Sequence, residues 1–256
     1  MIPTAEIKTA SEVVGFNAQQ DAERFNMQPE AARFNMQRET ARFNMIEQQI
    51  RTWDVLDPVV LALLNEIPRE NFVPAEYTGL AFADIEIPIG QNLALGQTML
   101  SPKLEGRILQ ALNVQKTHSV LHVGTGSGYL TALLASLAKH VVSVDINPAL
   151  SAQAANRLTK NNIQNVSIEV ADAAMGYATK APFDLIVYTG SCPIEPQGVR
   201  QQLAVGGAFF IVLGHAPAMQ ATLIQRLSET AFKQDVLFET HIPALINAPQ
   251  AATFEF

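Results

Sequence analysis

From residue 117 onward the chain alternates between short apolar runs and longer segments with helical spacing. Ser119 to Val123 is followed by glycines, and Tyr129 to Ala138 is rich in Ala and Leu. His140 to Asp145 is β-branched, Pro148 to Asn161 reads as helix, and Asn165 to Val170 alternates like a strand. Phe183 to Tyr188 and Ala208 to Leu213 read as further buried strands, with Gly206-Gly207 as the turn before the second of them. Strands separated by helices predict βαβ units, a parallel sheet and right-handed crossovers, with ligands at the carboxyl ends of the strands. The tail breaks this rhythm. Ala221 to Ser228 and Lys233 to Ile242 read as two strands joined without a helix, an antiparallel pair added to the sheet edge. A turn over Asn247 to Gln250 and a short Phe254 to Phe256 ending follow.

The front of the chain has a different pattern. Arg24-Phe25-Asn26-Met27-Gln28, Arg33-Phe34-Asn35-Met36-Gln37 and Arg42-Phe43-Asn44-Met45-Ile46 are near-copies with a period of nine residues. Nine helical steps of about 100° leave successive Phe residues half a turn out of phase, so they form no single stripe. The repeats are too short and too few for a solenoid. Two readings remain: a tandem duplication with only its last copy docked on the domain, or an ordered arm that reaches a partner subunit. Ile46 to Arg51 then reads as a helix. Asp57-Pro58 opens another, with Asp as N-cap and Pro at the first helical position, running through Val59, Val60, Leu63 and Leu64 to a stop at Pro68.

Composition narrows the function classes. Apolar residues make up 48% of the 256, enough for a sizeable core, and charged residues only 16%, which suits buried parallel strands. The net charge of −7, without a Lys/Arg cluster, argues against nucleic-acid binding. The stretches Thr117 to Ala138 and Gln201 to Gln225 lack charged residues and exceed a membrane span in length. Glycines and polar residues interrupt both, and strand–turn–helix folding accounts for them without a membrane. One cysteine, Cys192, excludes an intramolecular disulfide and multi-thiolate metal sites. With no basic-then-apolar leader at the start, a soluble cytoplasmic protein is expected.

The chemistry concentrates in Gly124-Thr125-Gly126-Ser127-Gly128, which follows the first strand and opens a helix. Glycines let the backbone turn tightly and approach a ligand, and the helix start offers free N–H groups. Asp145 ends the next strand, where a carboxylate can accept both hydroxyls of a ribose; the alternative is a cap for the helix at Pro148. A dinucleotide fingerprint would need a third glycine at position 129, which is Tyr129. The spacing instead resembles that of S-adenosylmethionine (SAM) methyltransferases, with Asp172 placed for the adenine amino group.

Several further segments resemble the protein-L-isoaspartate O-methyltransferase family: Met45 to Arg51, Pro68-Arg69-Glu70-Asn71-Phe72-Val73-Pro74, Pro88-Ile89-Gly90, Gly96-Gln97-Thr98, Val123 to Tyr129 and Ala181-Pro182-Phe183-Asp184. The resemblance covers roughly residues 42 to 256. It divides the chain into an N-terminal extension, 1–41, and a methyltransferase domain, 42–256, with a substrate-side helical region (42–116) and a SAM-binding sheet (117–256). It implies an α/β, Rossmann-like fold with a mostly parallel sheet, an antiparallel edge pair and N-terminal helices. It implies methylation of the free carboxylate of isoaspartyl residues in damaged proteins, with S-adenosyl-L-homocysteine (SAH) as product. His122, Gly124, Thr125, Gly126, Ser127, Gly128, Asp145, Ile146, Asp172 and Ala173 would then hold the cofactor, and Thr98 and Ser101 would serve catalysis.

Two departures stand out. The family reads Gly-Gln-Thr-Ile-Ser-x-Pro, and its positioning serine falls here on Leu100; Ser101 is adjacent, either as a shifted equivalent or as the N-cap of the following helix. Extra sequence, Gln91 to Leu95, precedes Gly96. The first strand usually carries an acid where this chain has His122. A neutral His accepts one hydrogen bond there, whereas a protonated one repels the cationic methionine end. Thr189 and Ser191, after the fourth strand, read either as ligand contacts or as turn residues. His118, His140, His215 and His241 read as ordinary surface or core residues, with no metal expected, and Cys192 as an inert apolar group. A different acceptor, or a non-catalytic SAM-binding or assembly module, stays open, as does a monomer or a homodimer formed through the arm.

Overall fold

The computed structural model describes residues 32–90 and 96–251. The chain separates into two units, Met1–Arg42 and Phe43–Phe256. In the first, the described residues lie on helix α1 (residues 32–44), where the second repeat exposes Phe34 and Met36, and the Arg38 guanidinium sits 4.5 Å from the Phe34 ring. The first repeat, Gln91 to Leu95 and the Phe254 to Phe256 ending lie outside the described residues.

The second unit opens with the helix expected over Ile46 to Arg51, which takes a wider form: π-type turns over Met45–Ile50, then a tight turn over Arg51–Trp53. Met45, Ile46 and Ile50 are buried there, while Phe43 is exposed, so the third repeat docks through its Met-Ile step and not its ring. Helix α2 (Pro58–Glu66) starts as the Asp-Pro step predicts, with the Asp57 carboxylate accepting the Val59 N–H at 2.8 Å. A two-stranded antiparallel ladder, β1 (Ile87–Pro88) and β2 (Thr98–Met99), leads into α3 (Pro102–Leu112).

The remaining elements are β3 (Ser119–Val123), α4 (Tyr129–Leu137), β4 (His140–Asp145), α5 (Pro148–Lys160), β5 (Val166–Val170), β6 (Phe183–Tyr188), β7 (Leu203–His215), β8 (Ala218–Arg226) and β9 (Phe232–Thr240). They form one seven-stranded sheet in the order β5-β4-β3-β6-β7-β8-β9. The five strands from β5 to β7 pair in parallel, and β8 and β9 add the antiparallel edge. The order reverses at β3, which receives β4 on one side and β6 on the other, so the carboxyl ends of these strands border the crevice that α/β sheets use for ligands.

Successive residues of the central strands point to opposite sides, and both sides are covered. Leu185 and Val187 join one apolar cluster, Ile186 and Tyr188 the other. That double burial explains the continuous apolar runs and the low charge content. One expectation needs correcting. Gly206-Gly207 is no turn before a strand: β7 already begins at Leu203, and the pair lies in a bulge where β7 advances from Leu203 to Ala208 while β6 advances from Phe183 to Leu185. The parallel apolar pattern of Ala208 to Leu213 hid the earlier start. The two charge-free stretches fold as β3 with α4 and as β7 with β8. Among the described residues no helix is long and apolar enough to cross a membrane.

Candidate functional site

A cleft, partly open to solvent, lies over the carboxyl ends of β3, β4, β5 and β6. Its floor is the glycine turn between β3 and α4. Gly124 has φ +94° and donates its N–H to the Val144 carbonyl at 2.8 Å. A Cβ placed on Gly124 would lie 2.5 Å from Thr189 Oγ1, so only glycine fits. Gly128 serves a different purpose. A Cβ on it would lie 3.1 Å from the Ala154 Cβ, so this glycine lets the start of α4 close onto α5, and it does not line the cleft. The other nine residues expected to hold a cofactor do line it: His122, Gly124, Thr125, Gly126, Ser127, Asp145, Ile146, Asp172 and Ala173.

Asp145 ends β4 and is held from two sides. Oδ2 accepts the Gly126 N–H at 2.9 Å and Oδ1 accepts the Asn147 N–H at 2.9 Å. The cap of α5 is Asn147, which accepts the Ala149 and Leu150 amides, so Asp145 is not the helix cap. An ionised carboxylate offers about four lone-pair sites, so both oxygens keep capacity toward the cleft. Asp172 lies just beyond β5. Its Oδ1 accepts the Ala174 N–H at 3.0 Å and its Oδ2 accepts Asn247 Nδ2–H at 2.8 Å. Two oriented aspartates on one flank, a glycine turn in the floor and Leu150, Ile146 and Ala173 as apolar wall could hold an adenosyl group, with Asp145 free to accept a diol and Asp172 an amino group.

Beneath the glycine turn runs a buried polar layer. His122 Nδ1 contacts Thr131 Oγ1 at 2.9 Å and Ser143 Oγ at 3.2 Å, and Ser143 Oγ lies 2.7 Å from Thr125 Oγ1. Thr189 Oγ1 donates to the Gly124 and Val123 carbonyls at 2.8 and 3.0 Å. Its proton being used there, it accepts from His122 Nε2–H at 3.3 Å, and Nδ1 is left as the acceptor. Burial drives the His122 pKa down to about 3, so the ring is neutral at pH 7. Between the ordinary His value of 6.5 and about 3 the unfolded chain binds the proton and the folded chain does not, so stability falls as pH drops through that window. From pH 6 to pH 5 wild type is expected to lose about 1 kcal/mol more than His122→Asn in urea unfolding. Equal losses would show that the ring is protonated in the fold.

The opposite flank departs from expectation in part. Thr98 lines the cleft, and its hydroxyl donates to Glu86 Oε2 at 2.9 Å. Leu100 lines it as well, whereas Ser101 does not; Ser101 holds the N-cap position of α3, but its side chain makes no cap hydrogen bond. Thr189 lines the cleft, while Ser191 is buried away from it and donates to the Ile242 carbonyl at 3.0 Å. Cys192 is buried, and its thiol is pushed up to about 12. Among the described residues no group of three His, Cys, Asp or Glu is arranged around a metal.

One charged cleft residue escaped the sequence reading. Glu105, in the first turn of α3, is buried yet lines the cleft and pairs with the buried Arg69. Arg69 Nη2 also donates to the Leu100 carbonyl at 2.6 Å, and its guanidinium lies 5.0 Å from the Tyr129 ring. Burial lifts the Glu105 pKa to about 7, against the pull of Arg69. The available signal was periodicity: Glu105 occupies the same helical face as Leu109 and Leu112, both buried, where an acid is out of place.

The sequence profile of the protein-L-isoaspartate(D-aspartate) O-methyltransferase family matches residues 40–247. The chain is 37% identical over 181 residues to the protein-L-isoaspartate O-methyltransferase of Magnetococcus marinus, covering 71% of this chain and 78% of that one. With the enzyme of the same name from Rhodopseudomonas palustris it shares 34% over 204 residues, covering 79% and 92%. The chain belongs to the protein-L-isoaspartate O-methyltransferase family. Solved structures bear out the fold. A protein-L-isoaspartate O-methyltransferase superposes with a TM-score of 0.69 at 22% identity, covering 82% of this chain and 66% of that one. A Plasmodium falciparum protein of that description, in complex with SAH, gives 0.67 at 17%, covering 81% and 97%. Leu100, His122 and Glu105 are thus features of a family member's cleft.

Proposed function

We propose that the protein transfers a methyl group from SAM to the free carboxylate of isoaspartyl residues in damaged proteins, working in the cytoplasm. The observation that carries this is the cleft itself: the glycine turn, Asp145 and Asp172 converge on one space that also reaches Thr98 and Leu100 on α3's approach. SAM, when bound, supplies a methyl group already activated by a sulfonium. A free carboxylate, with a pKa near 4, is ionised at pH 7, so no residue has to remove a proton. The chain's part is to hold the two reactants in line and keep water out, which is worth several kcal/mol in such displacements. Thr98, fixed by Glu86, is the group we assign to the acceptor, and Ser101, outside the cleft, is given no part. The N-terminal arm, whose described part exposes Phe34 and Met36, is the candidate contact for a second copy.

Calorimetric titration with SAH tests the cofactor half. Micromolar binding is expected, and Asp145→Ala should weaken it at least tenfold, about 1.4 kcal/mol. Unchanged affinity would remove Asp145 from the site. Formation of a base-labile methyl ester on an isoaspartyl peptide tests the acceptor half. Leu100, standing where the family's serine does, favours a second reading with another acceptor. That reading holds if SAH binds and the peptide is not methylated.

A further inference from the structure

SAM and SAH carry a cationic ammonium at their amino-acid end, and a buried site must offer it an acceptor or a counter-charge. Among the described residues three carboxylates line the cleft: Asp145, Asp172 and Glu105. The first two stand over β4 and β5, on the adenosine side. The strand order then carries the cleft past β3 to β6, so the amino-acid end falls toward His122, Thr189 and the start of α3. His122 cannot serve as the anchor there. Its Nδ1 is committed to Thr131 and Ser143, and its other nitrogen presents an N–H toward Thr189. An N–H faces an ammonium with the wrong polarity.

Glu105 is the carboxylate left on that side. Its position follows from the pair that fixes it. Arg69 binds its Oε2, holds the Leu100 carbonyl and stacks on Tyr129, the first residue of the helix that the glycine turn opens. Arg69 thereby ties Glu105 to the glycine turn's end of α4. We propose that Glu105 is the counter-charge for the ammonium group of the bound cofactor, taking over from α3 the part that an acid at position 122 would play. The strand offers the cleft a neutral ring at His122, and the helix places a buried carboxylate on the same cleft. Arg69 keeps that carboxylate oriented, and binding of the cation adds a second positive partner to a group that burial alone disfavours as an anion.

The inference rests on the cleft being a SAM site, and the test separates the two. Binding of SAH and of its desamino analogue, which keeps the carboxylate but lacks the ammonium, is measured on the full chain at pH 8, above the Glu105 pKa of about 7. Wild type is expected to bind SAH at least tenfold more tightly than the analogue. Glu105→Gln should bind the two within about twofold of each other, by losing affinity for SAH alone. Because Glu105→Gln strips Arg69 of its partner, the paired replacement Arg69→Met with Glu105→Gln is measured beside it, with the same loss of discrimination expected. Wild type that fails to discriminate overturns the assignment without reference to any variant. So does a variant that still discriminates. Wild type that binds neither compound removes the cofactor reading itself.

Discussion

Gly124→Val is expected to lower SAH affinity at least 100-fold, about 2.7 kcal/mol, while leaving the protein folded. At φ +94° a β-branched residue is far outside its allowed range, which adds about 1–3 kcal/mol of strain. That is a fraction of the 5–15 kcal/mol typical of a folded domain. The damage to the site is larger than the damage to the fold. The new Cβ would fall 2.5 Å from Thr189 Oγ1, so the Thr189 side chain must leave. Its departure breaks the hydrogen bonds to the Gly124 and Val123 carbonyls and deprives His122 Nε2–H of its acceptor. The turn and the polar layer under it shift together, and the valine methyls occupy space at the cleft floor. Calorimetry with SAH and a thermal melt followed by circular dichroism check both halves. Wild-type affinity in a folded variant would show that the ligand does not approach this turn.

The sheet was legible in the sequence because both of its faces are buried. Continuous runs such as Phe183 to Tyr188 mark a strand covered on each side, and the intervening Ala- and Leu-rich segments fit no other element. The Gly124 to Gly128 turn and Asp145 were legible because each needs a residue type that few positions tolerate. What stayed hidden depends on three dimensions. Gly128 looks like its two neighbours in sequence, yet only the approach of Ala154, 26 positions on, shows that it serves packing. Ser101 and Leu100 are adjacent, and which of them faces the cleft is decided by the β1–β2 ladder that aims the chain into α3. Glu105 and Arg69 are separated by 36 positions, and neither has meaning without the other. Even the start of β7 was obscured, since a bulge of small residues carries no apolar rhythm.

Arg69→Met should destabilise the domain by about 2–2.5 kcal/mol near pH 8: about 1 kcal/mol for the lost bond to the Leu100 carbonyl and up to about 1.4 kcal/mol because the buried Glu105 carboxyl, with a pKa of about 7, loses its counter-charge. For a domain of this length that corresponds to a fall in Tm of roughly 4–10 °C. The deficit is expected to depend on pH, with a sign fixed by Glu105. In wild type its pKa is raised from 4.5 to about 7, so the folded chain holds a proton that the unfolded chain releases, and this group's contribution to stability declines as pH rises through that window. Arg69 opposes the rise. Without it the carboxyl pKa climbs further, and the decline extends to higher pH. At pH 5 Glu105 is protonated in both proteins, and what remains is the lost bond to the Leu100 carbonyl, about 1 kcal/mol. Adding Glu105→Gln to Arg69→Met removes the stranded charge and should restore most of the stability at pH 8, as replacement of whole buried pairs often does. Urea unfolding of the three proteins at pH 5 and pH 8 decides the matter. A deficit that is the same at both values, or that the second substitution fails to relieve, would mean that Arg69 stabilises the fold through its packing on Tyr129 and its hold on Leu100, and not through charge.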